Sequence, residues 1–235
     1  MNELDGKVVV ITGGFGNLGR VTAQVIAALG AKVALIAHGA AADAQSLALD
    51  PASTIVTGGV DLGDATAAQR AIDTIAAKWG RLDGLVNIAG GFRWETVADG
   101  DIETWDQMYG TNVRTAFNAS KAAIAHLVAS GAGRIVNIGA GAGIKAGAGM
   151  GAYGASKAGV LRLTEALAEE LKDRYVTVNA IMPSIIDTPQ NRADMPNADV
   201  TRWVKAEEVA AVIAFLLSAK AQAVTGAAIP VTGRV

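Results

Sequence analysis

Short apolar runs alternate with helix-forming stretches along nearly the whole chain, and this alternation is the strongest constraint on its fold. Apolar runs predict strands at residues 7–12, 32–37, 54–60, 82–88, 134–138, 176–182 and 227–231. Helical spacing of apolar residues predicts helices at 17–29, 64–79, after 101, at about 151–172 and at 205–218. Apolar strands joined by helices are typical of a parallel sheet covered on both faces. The sequence therefore predicts a doubly wound α/β fold with about seven parallel strands.

Composition narrows the possible functions. A chain of 235 residues without a linker suits one domain, and a net charge of −2 gives no reason to expect a nucleic-acid or membrane partner. There are no cysteines and only two histidines, so no metal site is expected. The first apolar run starts at residue 7, which leaves no room for a signal peptide, and a cytoplasmic location is expected.

Four glycines crowd the turn between the first predicted strand and the first predicted helix, in Thr-Gly-Gly-Phe-Gly-Asn-Leu-Gly at residues 12–19. Glycines let the backbone approach a pyrophosphate, and the helix N-terminus offers unpaired N–H donors to it. A tight connection alone needs fewer glycines. We therefore predict phosphate binding here, with a purely structural turn as the alternative.

Tyr153 and Lys157 are four residues apart in a predicted helix, which places a phenol and an ammonium on one face. A neighbouring cation favours the phenolate and lowers the pKa of a tyrosine. The pair predicts a proton donor and acceptor that works near neutral pH.

These motifs, in this order, resemble the short-chain dehydrogenase/reductase family nearly end to end. The resemblance implies one Rossmann domain over residues 1–235 that binds NAD(P). Asn17 replaces the family's usual middle glycine, and Ile88 replaces its second asparagine in Asn-Asn-Ala-Gly. The predicted cofactor-binding residues are Gly13, Gly14, Phe15, Gly16, Asn17, Leu18, Gly19, His38, Asp61, Leu62, Asn87, Ala89, Gly90, Tyr153, Lys157, Pro183, Ile186 and Thr188.

The resemblance also assigns catalytic roles. Tyr153 is the acid/base, Lys157 lowers its pKa and binds the nicotinamide ribose, and the backbone carbonyl of Asn112 holds a water in a proton relay. Ala140 stands where the family has a serine that polarises a substrate carbonyl, and losing such a donor costs about 10²–10³ in rate. The protein is thus catalytically dead, a poor carbonyl reductase, or specific for a substrate that needs no such serine.

One branch supports the last interpretation, because the chain is similar to quinonoid dihydropteridine reductase, which also lacks the serine. The similarity lies in residues 13–19, 89–92 and 187–199 and in Trp203, whereas Asn112 fits the general family better. The sequence favours hydride transfer to a conjugated C=N or C=O group, with quinonoid dihydropterin as the sharpest candidate. A carbonyl reductase or secondary-alcohol dehydrogenase and a non-catalytic nucleotide sensor remain alternatives.

The end of the second strand bears on the choice of cofactor. An acidic residue there binds the adenosine ribose of NAD and repels the extra phosphate of NADP. The chain has Ala37-His38-Gly39 at this place and no carboxylate, so the sequence favours NADP(H) over NAD(H). The alternative is that His38 is an ordinary surface residue.

Residues 184–204, irregular and rich in proline and asparagine, are interpreted as a substrate loop, with an ordered surface excursion as the alternative. Aromatic and apolar walls suit a flat small molecule. The predicted substrate residues are Ala140, Phe92, Trp94, Met150, Asn191 and Trp203, although Trp94 and Trp203 also suit a role in pinning loops to the core. The resemblance further implies a homotetramer or homodimer formed through the helices that bear Asn112 and Tyr153.

Overall fold

Alternate residues of each strand fill two separate hydrophobic cores. In the computed structural model, which describes residues 2–235, Val9 and Ile11 face one core while Val8 and Val10 face the other. Side chains of the strand at 134–138 alternate in the same way, with Val136 in the first core and Ile135 in the second. Because successive side chains point to opposite faces and both faces are covered, these strands are apolar throughout.

The sheet has seven strands, and every neighbouring pair is parallel. Their order is β3-β2-β1-β4-β5-β6-β7, so the chain reverses direction across the sheet between β1 and β4. Ligands bind at such a switch point in doubly wound sheets. The predicted fold is confirmed. The strands are β1 Val8–Thr12, β2 Lys32–Ile36, β3 Thr54–Thr57, β4 Gly84–Asn87, β5 Arg134–Ile138, β6 Thr177–Pro183 and β7 Ala228–Val231.

Helices cover both faces of the sheet. They are α1 Asn17–Ala28, α2 Ala65–Trp79, α3 Ile102–Tyr109, α4 Thr115–Ala129, α5 Gly151–Leu171, α6 Pro189–Asp194 and α7 Ala206–Leu217. The first core is formed with α1 and α7, and the second with α2, α4 and α5. In residues 2–235, no helix is both long and apolar enough to cross a membrane.

A π-helical turn, Gly110–Arg114, joins α3 to α4 without breaking the helical rod. No sequence pattern predicted this π-helical turn. A wider turn leaves a backbone carbonyl without its usual partner, and such turns are frequent at functional sites. Asn112 lies at the centre of this one.

Residues 184–204 contain α6 and a short 3₁₀ turn, Val200–Arg202, separated by irregular chain. The prediction that no single long element fills this segment is correct. The segment starts directly after β6 and rejoins the fold before α7, so it leaves the sheet at the carboxyl ends of its strands.

Candidate active site

Two loops meet at the carboxyl ends of β1 and β4. Thr12 Oγ1 accepts hydrogen bonds from the amides of Ile88 and Ala89, each at 3.1 Å. Gly13 has φ +66°, and a Cβ there would lie 2.8 Å from the Ala89 nitrogen. Only glycine allows this approach. The glycine at position 13 is therefore needed for packing as well as for access by a ligand.

The first turn of α1 presents unpaired donors at this place. Gly16 caps the helix without a side chain, and the first helical bond runs from the Arg20 amide to the Gly16 carbonyl. The amides of residues 17–19 therefore have no partner within the helix. Nor does the sequence place an acidic residue in this turn. The site fits a bound pyrophosphate, because helix N-termini attract anions.

Other predicted cofactor residues line one groove of about 630 Å³ beside this turn. His38 is exposed at the rim, and Asp61 accepts a hydrogen bond from the Gly63 amide at 2.8 Å. Phe15 and Leu18, in contrast, pack their side chains against the core with α1. The predicted residues that share the groove are Gly13, His38, Asp61, Leu62, Ala89 and Gly90.

Asn87 turns its side chain into the sheet and away from the groove. Its amide nitrogen donates to Ser120 Oγ at 3.0 Å and to Asn137 Oδ1 at 2.8 Å. Asn137 in turn donates to Thr164 Oγ1 at 2.9 Å. This buried network ties β4 and β5 to α4 and α5 beneath the site. Its hydrogen-bonded pairs are separated by 27 to 50 residues in the chain, and no sequence pattern indicated them.

Tyr153 and Lys157 share one face of α5, as predicted. The Lys157 ammonium donates to the Ile138 carbonyl at 2.9 Å and lies 5.8 Å from the centre of the Tyr153 ring. Burial raises the pKa of Tyr153 to about 12 and lowers the pKa of Lys157 to about 8. The expectation of a lowered tyrosine pKa is therefore wrong for this structure, because desolvation outweighs the neighbouring ammonium.

The side chain of Asn112 joins the loop after β4 to α5. Its oxygen accepts from the Gly91 amide, and its nitrogen donates to the Gly91 carbonyl and to Ser156 Oγ, each at 3.0 Å. Ser156 Oγ donates to the Tyr153 carbonyl at 2.7 Å. Asn112 was predicted for its backbone carbonyl, and the structure adds a positioning role for its side chain.

Phe92 follows this clamped loop and packs on the ring of Tyr153. The two ring centres lie 4.9 Å apart at an interplanar angle of 85°. Phe92 is 56% exposed, so its other side faces open solvent at the mouth of the site. A perpendicular aromatic pair is a favourable arrangement and offers a flat apolar wall.

Ala140 lies just beyond β5, buried and with an extended backbone. No serine, threonine or tyrosine occurs between residues 138 and 152. The loop beside Tyr153 therefore offers a substrate no side-chain hydroxyl. Whatever orients a substrate oxygen here must come from Tyr153 or from another loop.

The predicted tryptophans behave differently from each other. Trp94 is 58% exposed and lies over Gly149, where a Cβ would be 2.1 Å from the ring. The Glu95 amide donates to the Gly149 carbonyl at 2.8 Å, next to Met150, so these two loops are joined beside the site. Trp203 is only 6% exposed and is a packing residue in this structure, not an open substrate contact.

The predicted substrate loop begins after Pro183, and within it the Thr188 side chain caps α6 by accepting from the Asn191 amide. The Asn191 side chain donates to the Ile186 carbonyl at 2.7 Å. Asn191 therefore holds α6 against the start of the loop. The predicted contact of Asn191 with the substrate would compete with this hydrogen bond for the side-chain amide.

Comparison with known proteins decides the family. The model of the short chain dehydrogenase family matches residues 7–199. The chain belongs to the short-chain dehydrogenase/reductase family. It is 33% identical over 243 residues to D-threitol dehydrogenase of Mycolicibacterium smegmatis, covering 98% of this chain and 93% of that protein. The predicted enzyme class, an NAD(P)-dependent oxidoreductase of this family, is confirmed.

Solved structures of the family superpose closely on this fold. A short chain dehydrogenase from Burkholderia cenocepacia in complex with NADP has a TM-score of 0.90 at 35% identity, with 99% of this chain and 98% of that chain covered. Carveol dehydrogenase from Mycobacterium avium in complex with NAD has a TM-score of 0.87 at 27% identity, with 99% and 98% covered. Neither these proteins nor the D-threitol dehydrogenase supports the dihydropteridine reductase branch specifically.

Proposed function

We propose that this enzyme interconverts a ketone and a secondary alcohol, with Tyr153 moving the proton. The observation that carries the proposal is the position of Tyr153 one helical turn from Lys157, whose ammonium lies 5.8 Å from the tyrosine ring centre. Lys157 Nζ would lie 3.4 Å from a Cβ at Gly90, which lines the cofactor groove. When bound, NAD(P)H supplies the hydride. Tyr153 Oη donates a proton to the carbonyl oxygen during reduction and accepts it during oxidation.

The similar proteins named as D-threitol and carveol dehydrogenases support an alcohol or ketone as substrate. With Ala140 in place of a hydroxyl donor, the loop beside Tyr153 offers the substrate oxygen no side-chain hydroxyl as a second donor. A ketone that its own substituents already make electrophilic needs the least polarisation by the protein. We therefore propose activated ketones as the preferred substrates of the reductive direction.

A second candidate is reduction of a conjugated C=N group such as that of a quinonoid dihydropterin. The lack of any hydroxyl from residue 138 to 152 favours it, because such an electrophile accepts hydride without a polarised carbonyl. The named relatives support the first candidate. The non-catalytic alternative has no support among them.

The deciding experiment measures initial rates of NAD(P)H oxidation with an activated ketone, an unactivated ketone and chemically generated quinonoid dihydropterin. Loss of the proton donor in Tyr153→Phe is expected to lower turnover about 10²–10⁴-fold. Tyr175→Phe is the matched control, because Tyr175 is 76% exposed and lies before β6 at the opposite edge of the sheet. Equal turnover rates of wild type and Tyr153→Phe would contradict the proposed role of Tyr153 as proton donor.

Ala140→Ser separates the two candidates. The backbone at residue 140 is extended and accepts serine without strain. A new hydroxyl beside the substrate oxygen is expected to raise kcat on ketones by about tenfold or more, since such donors are worth about 10²–10³ when well placed. The rate with the dihydropterin is expected to stay unchanged. No gain on ketones, together with a wild-type rate on the dihydropterin that exceeds the ketone rates, would favour the second candidate.

We further propose a preference for NADP(H), supported by the uncharged rim of the groove at the end of β2. His38 is exposed there, and no carboxylate is present from residue 37 to 42. His38→Asp adds the charge that repels the extra phosphate, so we expect kcat/KM for NADPH to fall more than tenfold while that for NADH is maintained or rises. Gln45→Asp adds the same charge on the exposed turn that follows and is the control. Equal loss with both cofactors would contradict the preference.

The homo-oligomer and the cytoplasmic location stay predictions. An apolar groove between α5 and the rod of α3 and α4 supports the first.

A further inference from the structure

The two ends of the substrate loop are joined at its base. The Asp187 amide donates to the Val204 carbonyl at 2.7 Å, and the Val204 amide donates to the Ile185 carbonyl at 3.0 Å. The outgoing part, α6, is fastened by contacts of its own, including the ion pair in which Arg192 Nε lies 2.6 Å from Asp187 Oδ1. The returning part, Val200–Arg202, makes no comparable contact with α6.

Residues 232–234, which follow β7, hold this returning part instead. Arg202 donates from Nε and Nη2 to the Arg234 carbonyl, at 2.9 and 2.7 Å. The Arg234 amide donates back to the Arg202 carbonyl at 3.0 Å, and its guanidinium donates to the Thr201 carbonyl at 2.6 Å. Gly233, at φ +60°, lets the two chains approach, because a Cβ there would lie 2.8 Å from the Arg202 carbonyl oxygen.

The same residues also reach the start of the loop, before α6. Ser184 Oγ donates to the Thr232 carbonyl at 2.8 Å, and the Ser184 amide donates to the Val231 carbonyl at 3.3 Å. Val231 belongs to β7, which pairs with β6 in the sheet. Residues 232–234 therefore connect the start of the substrate loop and its returning part to the sheet.

We propose that Arg202 and residues 232–234 form a strap that sets the position of the substrate loop, with Arg202 and Arg234 as positioning residues. The loop carries Ile186 and Thr188, which are predicted to cover the cofactor, so a loosened strap weakens binding while Tyr153 stays in place. This role rests on the proposed function of the loop. The hydrogen bonds themselves are independent of any substrate.

The contacts predict a graded series of effects. Arg202→Ala removes both bonds to the Arg234 carbonyl and is expected to raise KM for NADPH and for the ketone about five- to tenfold, with kcat changed less than twofold. Arg234→Ala loses only the bond to Thr201, because its backbone bonds remain, so a smaller rise of about twofold is expected. Arg202→Lys keeps one donor and is expected to lie between wild type and Arg202→Ala. Arg174→Ala changes an exposed arginine in the turn after α5 and is the control.

Hydrogen exchange of the enzyme without ligand gives a readout that needs no turnover. Amides of residues 199–204 are expected to exchange faster in Arg202→Ala, whereas the exchange rates of the sheet amides stay unchanged. Unchanged exchange in this segment would overturn the strap, and faster exchange with unchanged KM would overturn its positioning role. If wild type reduces no substrate, the proposed function fails, while exchange and NADPH binding still test the strap.

Discussion

At the scale of single residues, the candidate active site holds the charged ammonium of Lys157 in a buried position, where desolvation is costly. Lys157 is 6% exposed, and its ammonium has the Ile138 carbonyl as its partner. Burial lowers the pKa of Lys157 to about 8. The unfolded chain has a lysine pKa of about 10.4, so below pH 8 both states are charged and the folded state bears the full cost of burying the charge. Between about pH 8 and 10.4 the folded state loses the proton first, and the cost disappears.

Lys157→Met is therefore expected to stabilise the protein while abolishing activity. At pH 7 the free energy of unfolding should rise by about 1–3 kcal/mol, because methionine fills the site without a buried charge. The gain should shrink as pH rises from about 8 towards 10.4. Urea unfolding of both proteins across this pH range measures the difference. A variant that is less stable than wild type at pH 7 would show that the bond to Ile138 outweighs the cost of burial.

Single residues also show which parts of the site local sequence patterns predict and which they do not. Tyr153, Lys157 and Gly13 are found at their predicted places because each belongs to a local motif with fixed spacing. Thr12 bonds to residues 76 and 77 positions away, and Asn112 to a serine 44 positions away. Such contacts depend on how the elements pack, and no local pattern encodes them. The raised pKa of Tyr153 was missed for the same reason, since burial is a property of the packed site.

At the scale of elements, Asp83 fixes where β1 and β4 begin. Its carboxylate accepts from the Val8 amide at 3.0 Å, from Arg81 at 2.7 and 2.8 Å and from Lys7 at 3.1 Å. Burial raises the pKa of Asp83, but these bonds outweigh it, and the pKa is lowered overall. The predicted strand at 82–88 starts at Gly84 in the structure, after this charged junction.

Asp83→Ala is expected to lower the free energy of unfolding by about 2–3 kcal/mol at pH 7, since it leaves two cations and a buried amide without their acceptor. A carboxyl whose pKa is lowered by folding stabilises the fold at pH values above its pKa in the unfolded chain, about 3.9. This stabilisation is lost as the pH falls through the lower pKa of the folded state. The difference between wild type and variant should therefore narrow below pH 4. Denaturant unfolding at pH 7 and at acid pH measures it, with the exposed Asp50→Ala as control. A constant difference at all pH values would contradict the role of the charge.

At the scale of the whole molecule, strand order and helix placement agree with the prediction because the apolar periodicity continues through the whole chain. Two irregular regions do not follow from periodicity. The π turn at Gly110–Arg114 keeps a helical pattern, and the path of residues 184–204 is fixed by bonds to residues 231–234. In both regions tertiary contacts decide the conformation, so sequence spacing alone did not define it.

An apolar face on α4 and α5 predicts how copies of the whole molecule associate. Phe117 is 46% exposed, and with Tyr109, Val113, Gly159 and Leu163 it lines a groove of about 670 Å³. Tyr109 and Phe117 are the exposed aromatic residues of this groove, and such a cluster marks an association surface. We expect the wild type to have a mass two or four times that of the 23.8 kDa chain.

Phe117→Glu is expected to dissociate the assembly into smaller species, because it removes an exposed aromatic contact and buries a carboxylate, whose desolvation is costly even beside Arg114 and Arg162 of the same groove. Light scattering after size-exclusion chromatography measures the mass directly. Tyr175→Glu places the same charge on another exposed aromatic residue, far from this groove, and should leave the mass unchanged. Because α5 also carries Tyr153 and Lys157, the smaller species should lose turnover as well as mass. A monomeric wild type, or an assembly that survives Phe117→Glu, would contradict association through this face.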